Sequence, residues 1–283
     1  MPQSKKEGLE AKAETILNIY NQFDCEVLNV GTNDMANGMA YLLALEGKAK
    51  FRFISANIAD RKSGKLVFKP YEIINIAGRK IGVIGVTGGN PNVEEVQFLD
   101  VVESINGIVP ELKKKTDLTI LLANVGEMDL KKIAQQCEDI DFVVRSRSSQ
   151  VLSTPQKTGK TRIIQMGYQG KYAGIVYVNM QDKGSYLRDL TPEHNQSSFV
   201  NERLERLLEK VPENMEPEDY YKETPSRLDL LKSLKKELIE KAQTIEKTDN
   251  YLWFAKIALD KTIEDDTAIL EQIKPLEKKY GYK

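Results

Sequence analysis

The segment from Val27 to Asp34, with the sequence VLNVGTND, runs from an apolar strand straight into a polar loop. A junction of the same kind recurs at Asn124, which follows the apolar run Leu118 to Leu122. It recurs again in the segment from Ile140 to Ser149, where the sequence IDFVV is followed by polar and basic residues. This repetition makes the three loops the first place to look for function.

The first two junctions resemble metal-binding strand ends of the calcineurin-like metallophosphoesterases, in particular those of the 5′-nucleotidase branch. The segment 27–34 is similar to the family's Gly-Asn-His-Glu/Asp turn. In this chain Thr32 and Asn33 occupy the asparagine and histidine positions, and Asp34 occupies the acidic position. Asn124 stands where the family has the histidine of a Ser-His-Leu-Gly loop.

The third junction is similar to the family's Asp-x-Ile-Ile-Gly-Gly-His-Ser-His segment. Arg145 and Ser146 replace its two glycines, and Arg147 and Ser149 replace its two histidines. Further matching segments extend the resemblance over roughly residues 10–182. These segments are Ser55 to Ile58, Phe68 to Tyr71, Ile81 to Thr87 and Gln165 to Gly174.

The resemblance implies an α/β fold, namely the two-sheet α/β sandwich of the metallophosphoesterases. Two strands that open the family, bearing Asp-x-His and Gly-Asp, have no counterpart before the helix predicted for Leu9 to Phe23. The sandwich is therefore expected to be N-terminally incomplete. The aspartates that bridge the metals in the family are missing from the sequence for the same reason.

The residue types at these positions argue against a dimetal centre. Such a centre needs imidazole nitrogens and carboxylates at about 2.0–2.2 Å from the cations. Thr32, Asn33, Asn124 and Ser149 supply only hydroxyl or amide oxygens, and the permanent charge of Arg147 repels a divalent cation. We therefore expect no metal, no other cofactor and no catalytic residue. The single histidine, His194, is predicted to be a surface loop residue.

Two interpretations of the basic residues remain open. Arg145 and Arg147 alternate after a strand and would point to the same side if the strand continued, and Lys171 lies in a loop that is near the site in the family. With Asn33 and Asn124 they could hold a small oxyanion. Alternatively, the arginines are solvated or paired residues that fill space left by the cations. Asn33 and Asp34 are also candidate caps for a helix beginning near Met35.

Composition limits the remaining functions. The chain has 283 residues, 41% hydrophobic and 29% charged, with a net charge of −1, so nucleic acid and anionic membranes are not expected partners. No apolar run is long enough for a membrane span, and no signal peptide is recognisable at Met1. Family resemblance implies a periplasmic or extracellular location, whereas Met1 as the true start implies the cytoplasm. Cys25 and Cys137 are predicted to be buried free thiols.

The pattern predicts a metallophosphoesterase-like domain over residues 1–190 and a mainly helical extension over 191–283. In the extension, a leucine seam runs from Leu228 to Ile245, an aromatic strand from Tyr251 to Leu259, and a final helix from Asp266 to Tyr280. These apolar faces either fold back on the first domain or bind a protein partner through the seam or the strand.

Three hypotheses follow. The first is a catalytically degenerate 5′-nucleotidase-like protein that serves as a binding or scaffold module. The second is a residual phosphoester hydrolase whose metal site is restored by an N-terminal segment. The third is an interaction subunit of a redox assembly with a multihaem cytochrome, bound through the C-terminal helices. The chain has no Cys-x-x-Cys-His sequence and so attaches no haem of its own.

Overall fold

The computed structural model describes residues 3–90, 93–182 and 186–281. The helices are α1 Gln3–Tyr20, α2 Met39–Glu46, α3 Val101–Asn106, α4 Val109–Lys115, α5 Glu127–Gln136, α6 Thr191–Leu208, α7 Pro217–Tyr220, α8 Pro225–Glu246 and α9 Thr267–Tyr280, with a 3₁₀ helix at Thr32–Met35. The strands are β1 Val27–Asn29, β2 Arg52–Ile54, β3 Ile58–Asp60, β4 Tyr71–Ile76, β5 Arg79–Thr87, β6 Val96–Phe98, β7 Leu118–Asn124, β8 Phe142–Arg145, β9 Gln156–Thr158, β10 Thr161–Ile164, β11 Tyr172–Asn179, β12 Arg188–Asp189 and β13 Tyr251–Ala258.

Contacts divide the chain into two compact units. The first comprises residues 1–173 and 257–283, and the second comprises residues 174–256. This division differs from the predicted boundary at residue 190, because β11 pairs with the distant strand β13 rather than with the preceding sheet. The last helix, α9, also returns to the first unit, where it packs on α1 and Gln22 Nε2 donates to Gln272 Oε1 at 3.1 Å.

The first unit is built on a six-stranded sheet in the order β4-β5-β7-β8-β10-β9. Its four central strands are parallel and carry nearly continuous apolar runs, as expected for a sheet covered on both faces. The register places Thr87 beside Asn124 and Ala123 beside Arg145, so the carboxyl ends of β5, β7 and β8 lie along one edge. The α/β class is confirmed.

A second layer brings β1 to this same edge. β1 pairs in parallel with β2 and lies against β5. Asn29 Nδ2 donates to the Val86 carbonyl at 2.9 Å, and the Thr87 hydroxyl donates to the Val30 carbonyl. These bonds hold the loop after β1 next to the ends of β5 and β7.

The sequence predicts a hairpin of the runs Tyr71 to Ile76 and Lys80 to Val86, and β4 and β5 form it. Its turn residues Ala77 and Gly78 both have positive φ, 48° and 78°, as required for a tight turn that matches the strand twist. The sequence predicts a helix over residues 96–115 that is broken or bent at residues 107–110; the break is present between α3 and α4, but the predicted start at Val96 was wrong. Residues 96–98 form β6, paired with β3, and the first helix begins only after Asp100, whose carboxylate accepts the Val102 and Glu103 amides.

The second unit has its own sheet, in the order β11-β13-β12, and its own core between α6 and α8. Leu231 and Leu234 of the leucine seam are buried against α6, so that face is occupied within the chain. The sequence between α6 and α8 is polar and acidic and predicts a link over residues 212–225. This segment contains α7 and Tyr221, which is 1% exposed and donates its hydroxyl to the Leu207 carbonyl at 2.8 Å.

Among the described residues, no helix is both long enough and apolar enough to cross a membrane. Both thiols are free, as the sequence predicts, and Cys137 is buried, whereas Cys25 is only half-buried. Burial raises the pKa of the Cys137 thiol to about 11.

Candidate functional site

A polar cavity of about 420 Å³ opens where β1, β5, β7 and β8 end. Gly31, Thr32, Asn33, Asp34, Asn90, Asn124 and Arg147 line it. The structure thus brings together five of the six predicted degenerate positions. Ser149 is exposed and lies outside the lining, although it belongs to the same loop as Arg147.

The loop after β1 forms one wall. The 3₁₀ helix begins at Thr32, and Asp34 Oδ2 accepts the Gly31 amide at 2.7 Å. This bond differs from the predicted cap of a helix at Met35, since α2 begins only at Met39. Desolvation raises the pKa of Asp34, and the Gly31 N–H offsets part of that rise because it favours the carboxylate.

Close packing fixes Asn124 against this wall. A Cβ on Gly31 would lie 3.2 Å from Asn124 Nδ2, so glycine is needed for the approach to remain unstrained. Asn124 Nδ2 donates to Ser146 Oγ at 2.7 Å. The remaining oxygen, Asn124 Oδ1, is buried without a partner, as is Thr32 Oγ1. Unsatisfied buried oxygens are costly and mark positions where a donor from outside the chain would fit.

Arg147 forms the opposite wall. Its φ of +57° lies in the left-handed region, which is uncommon for a residue with a side chain and is concentrated at functional loops. Its Nη1 donates to the Gly88 carbonyl at 2.9 Å. A Cβ on Gly89 would lie 2.9 Å from that same nitrogen, so the glycine pair leaves room for the guanidinium. One hydrogen bond leaves most of its five N–H donors available.

Arg145 does not join Arg147 in this cavity. Its side chain is 5% exposed and donates to Glu127 Oε2 at 2.7 Å, to Gln165 Oε1 at 2.9 Å and to the Val125 carbonyl at 3.2 Å. The same-side arrangement was predicted on the condition that the strand continued, and this condition is not met, because β8 ends at Arg145 and Arg147 has a left-handed backbone. Lys171 is exposed and does not line the cavity either.

Asn90 was not identified from the sequence. It follows Thr87, Gly88 and Gly89 at the carboxyl end of β5. A Gly-Gly pair directly after an apolar strand could have signalled a close backbone approach there.

The donor set does not fit two divalent cations. Asp34 is the one carboxylate among the lining residues, and it faces the permanent charge of Arg147 across the same cavity. Over residues 3–90, 93–182 and 186–281, no group of three or more His, Cys, Asp or Glu side chains is placed to hold a metal ion. Neutral amide and hydroxyl oxygens are poor substitutes for the nitrogen and carboxylate ligands of transition metals.

The parallel sheet, the second layer and the polar loops at one edge define a metallophosphoesterase-type α/β protein. Sequence and fold comparisons support a relationship to the calcineurin-like metallophosphoesterases, in particular to their 5′-nucleotidase branch. The chain is 34% identical over 110 residues to a 5′-nucleotidase from Vibrio cholerae, covering 36% of this chain and 20% of that protein. It is 26% identical over 209 residues to a snake venom 5′-nucleotidase from Naja atra, covering 62% of this chain and 39% of that protein.

The solved structures agree on the fold. Calcineurin-like phosphoesterase YfkN from Bacillus subtilis superposes with a TM-score of 0.61 at 16% identity, covering 98% of this chain and 76% of that one. No family model matches the chain. The chain spans 20% and 39% of the length of the two curated relatives above, well under two thirds.

Proposed function

We propose that this protein is a catalytically degenerate member of the 5′-nucleotidase branch and that its pocket binds a small oxyanion without metal. The observation that carries the proposal is Arg147, an arginine held in a left-handed loop where it faces amide side chains in a polar cavity. A guanidinium presents paired N–H donors that match the oxygens of phosphate, sulfate or carboxylate.

Two of the surrounding residues can supply further donors to an anion. The side-chain amides of Asn33 and Asn90 add donors around the cavity. Asp34 opposes the anion, but its carboxylate is turned to the Gly31 amide. The expected binding is therefore weak, on the order of millimolar, because one charge-assisted contact offsets little more than the cost of association.

Thermal unfolding with added sulfate tests the proposal. A ligand that binds only the native state raises the melting temperature according to RT ln(1 + [L]/Kd). Sulfate at millimolar concentration should raise it, and Arg147→Ala should abolish the shift. Arg52→Ala, at an exposed position on β2, is the matched control and should leave the shift intact. An equal shift of the melting temperature in both variants would show that Arg147 does not bind sulfate and is a solvated loop residue.

A hydrolase remains the second candidate, because the two curated relatives are 5′-nucleotidases and the chain spans only part of their length. Ligands supplied by a further segment would restore a metal site in this case. Metal analysis and phosphatase assays on the protein isolated from its natural source separate the two, because such material carries any further segment. Degeneracy predicts well under one equivalent of transition metal and no metal-dependent turnover. A periplasmic or extracellular location is part of the same proposal, by analogy with the venom relative.

A further inference from the structure

The two walls of the polar cavity differ in charge. Arg147 supplies the one positive charge among the lining residues, all of which the structure describes. The other wall carries the one carboxylate, that of Asp34, beside the side chain of Asn124. A Cβ on Gly31 would lie 3.3 Å from Asn124 Cγ and 3.4 Å from Asp34 Oδ2, so these two side chains are neighbours. The cavity thus has a cation on one side and a group of acceptors on the other.

The acceptors on the Asp34 wall have few donors within the described part of the chain. Asn124 Oδ1 and Thr32 Oγ1 are buried without a hydrogen-bond partner. Asp34 Oδ2 accepts the Gly31 amide, and this is the one hydrogen bond that the carboxylate receives from the described residues. Buried acceptors without a donor are costly, so a ligand with several N–H groups would stabilise this wall.

The negative charge of Asp34 has no counter-ion among the described residues. Across the 3₁₀ helix, Asn33 and Asp34 also line a separate and mostly apolar cavity of about 180 Å³, with Leu42 and Phe53 in its wall. Desolvation raises the pKa of Asp34, and the Gly31 amide is the one neighbour that lowers it. A cation close to a carboxylate would also lower its pKa. Arg147 therefore faces Asp34 across the polar cavity without pairing with it.

We propose that the oxyanion bound in the polar cavity is part of a small zwitterion of the amino-acid type, which carries an ammonium group and an acid group on a short carbon chain. This inference rests on the proposed oxyanion function and specifies its ligand class. The acid group lies at Arg147, and the ammonium group lies at Asp34. An ammonium group has three N–H donors, which match the Asp34 carboxylate, Asn124 Oδ1 and Thr32 Oγ1. Such a ligand makes a charge-assisted contact with each wall.

Matched ligand pairs test the inference by NMR titration of the whole protein at pH 7. Glycine, β-alanine and γ-aminobutyrate are compared with acetate, propionate and butyrate, which lack only the ammonium group. In the pair whose chain length fits the distance between the walls, the amino acid should bind at least about tenfold tighter than the acid, as expected for one charge-assisted hydrogen bond. Methylammonium, which lacks the acid group, should bind more weakly than that amino acid.

Substitution of Asp34 should affect the two members of a pair in opposite directions. Asp34→Asn keeps an acceptor for the Gly31 amide but removes the charge, so the amino acid should lose its advantage over the acid. The acid should bind this variant more tightly than the unmodified chain, because the repulsion by the carboxylate is gone. Asp24→Asn, at an exposed position outside the lining, is the matched control and should leave both affinities unchanged.

The outcomes separate this inference from the proposed function. If the acids bind, lose affinity in Arg147→Ala and are matched by the amino acids, the pocket holds an oxyanion and the zwitterionic class is overturned. An advantage of the amino acid that survives Asp34→Asn, or methylammonium that binds as tightly as the amino acid, also overturns it. If no member of any pair binds, both proposals fail.

A pH titration decides should Asp34→Asn not fold. Taurine and ethanesulfonate differ in the ammonium group, and both keep their charge between pH 7 and pH 5. The advantage of taurine on the unmodified chain should shrink as acidification protonates Asp34. A constant advantage would place the ammonium group away from Asp34 and overturn the inference.

Discussion

His194, the only histidine of the chain, stacks on Trp253, the only tryptophan, with ring centroids 3.7 Å apart and planes inclined by 19°. The other face of Trp253 stacks on Tyr177 at 3.8 Å. The predicted loop position for His194 was wrong, because the residue lies in the first turns of α6. Three rings from α6, β13 and β11 thus form one stack within the second unit.

Because of this stack, the fluorescence of Trp253 should report the protonation of His194. A protonated imidazole quenches a stacked indole, and burial lowers the pKa of His194 below its ordinary value of about 6.5. Emission at neutral pH should fall on acidification with a midpoint below about 6.5. His194→Gln should remove the transition. A midpoint above the ordinary value, or an unchanged transition in the variant, would contradict the geometry.

The same ionisation should affect stability. Since the pKa of His194 is lowered by folding, the unfolded chain binds its proton more readily than the native chain. The contribution of His194 to the free energy of unfolding is fully present above the pKa that it has in the unfolded chain. This contribution is lost as pH falls from that value through the pKa in the folded chain. In denaturant unfolding, the free energy of unfolding of His194→Gln should therefore rise relative to that of the unmodified chain as pH falls from 7 to 5. A constant difference between them would rule this linkage out.

Substitution of Arg145 should lower the free energy of unfolding more than substitution of Arg147. Arg145→Ala leaves Gln165 Oε1 and the Val125 carbonyl without their donor and breaks the pair with Glu127. We expect a loss of about 2–3 kcal/mol in the free energy of unfolding, at the lower end for a buried pair because Glu127 is 58% exposed. Arg147→Ala should change it by less than about 1 kcal/mol, since that side chain is exposed. Equal losses in the free energy of unfolding would show that the buried contacts of Arg145 do not stabilise the fold more than Arg147 does.

Asp34 should oppose oxyanion binding in a pH-dependent way. Sulfate keeps a constant charge above pH 3, so it isolates the charge of the protein. Desolvation raises the pKa of Asp34, and protonation on acidification removes its repulsion. Sulfate affinity of the unmodified chain should rise as pH falls toward 5. Asp34→Asn keeps an acceptor for the Gly31 amide and should bind sulfate more tightly at pH 7.

Charge-neutralising controls complete that test. Asp24→Asn changes the net charge equally, at a position outside the cavity lining. It should leave sulfate affinity near that of the unmodified chain. If Asp34→Asn and Asp24→Asn give equal gains, the effect is one of net charge, and Asp34 has no special role in the pocket.

Much of the fold could be predicted because its signals are local. Apolar runs of strand length identified β5, β7 and β8, and the Ala77-Gly78 turn identified the hairpin. The ordered motifs also placed Thr32, Asn33 and Asn124 in one site. The helix expected over residues 96–115 starts later than predicted, because residues 96–98 form β6, and its pairing with β3 is a long-range contact with no local signature.

The sequence by itself determined the resemblance to the metallophosphoesterases, the α/β class and the residue types at the positions of the family's histidines, because periodicity and motif order can be read along the chain. The tertiary structure alone decided which arginine faces the pocket, because one residue in the left-handed region at Arg147 reverses the direction that strand alternation implies. It also decided that His194 meets Trp253 and that Asn33 and Asp34 divide two cavities. Such relationships depend on the packing of elements far apart in sequence, and no local pattern encodes them.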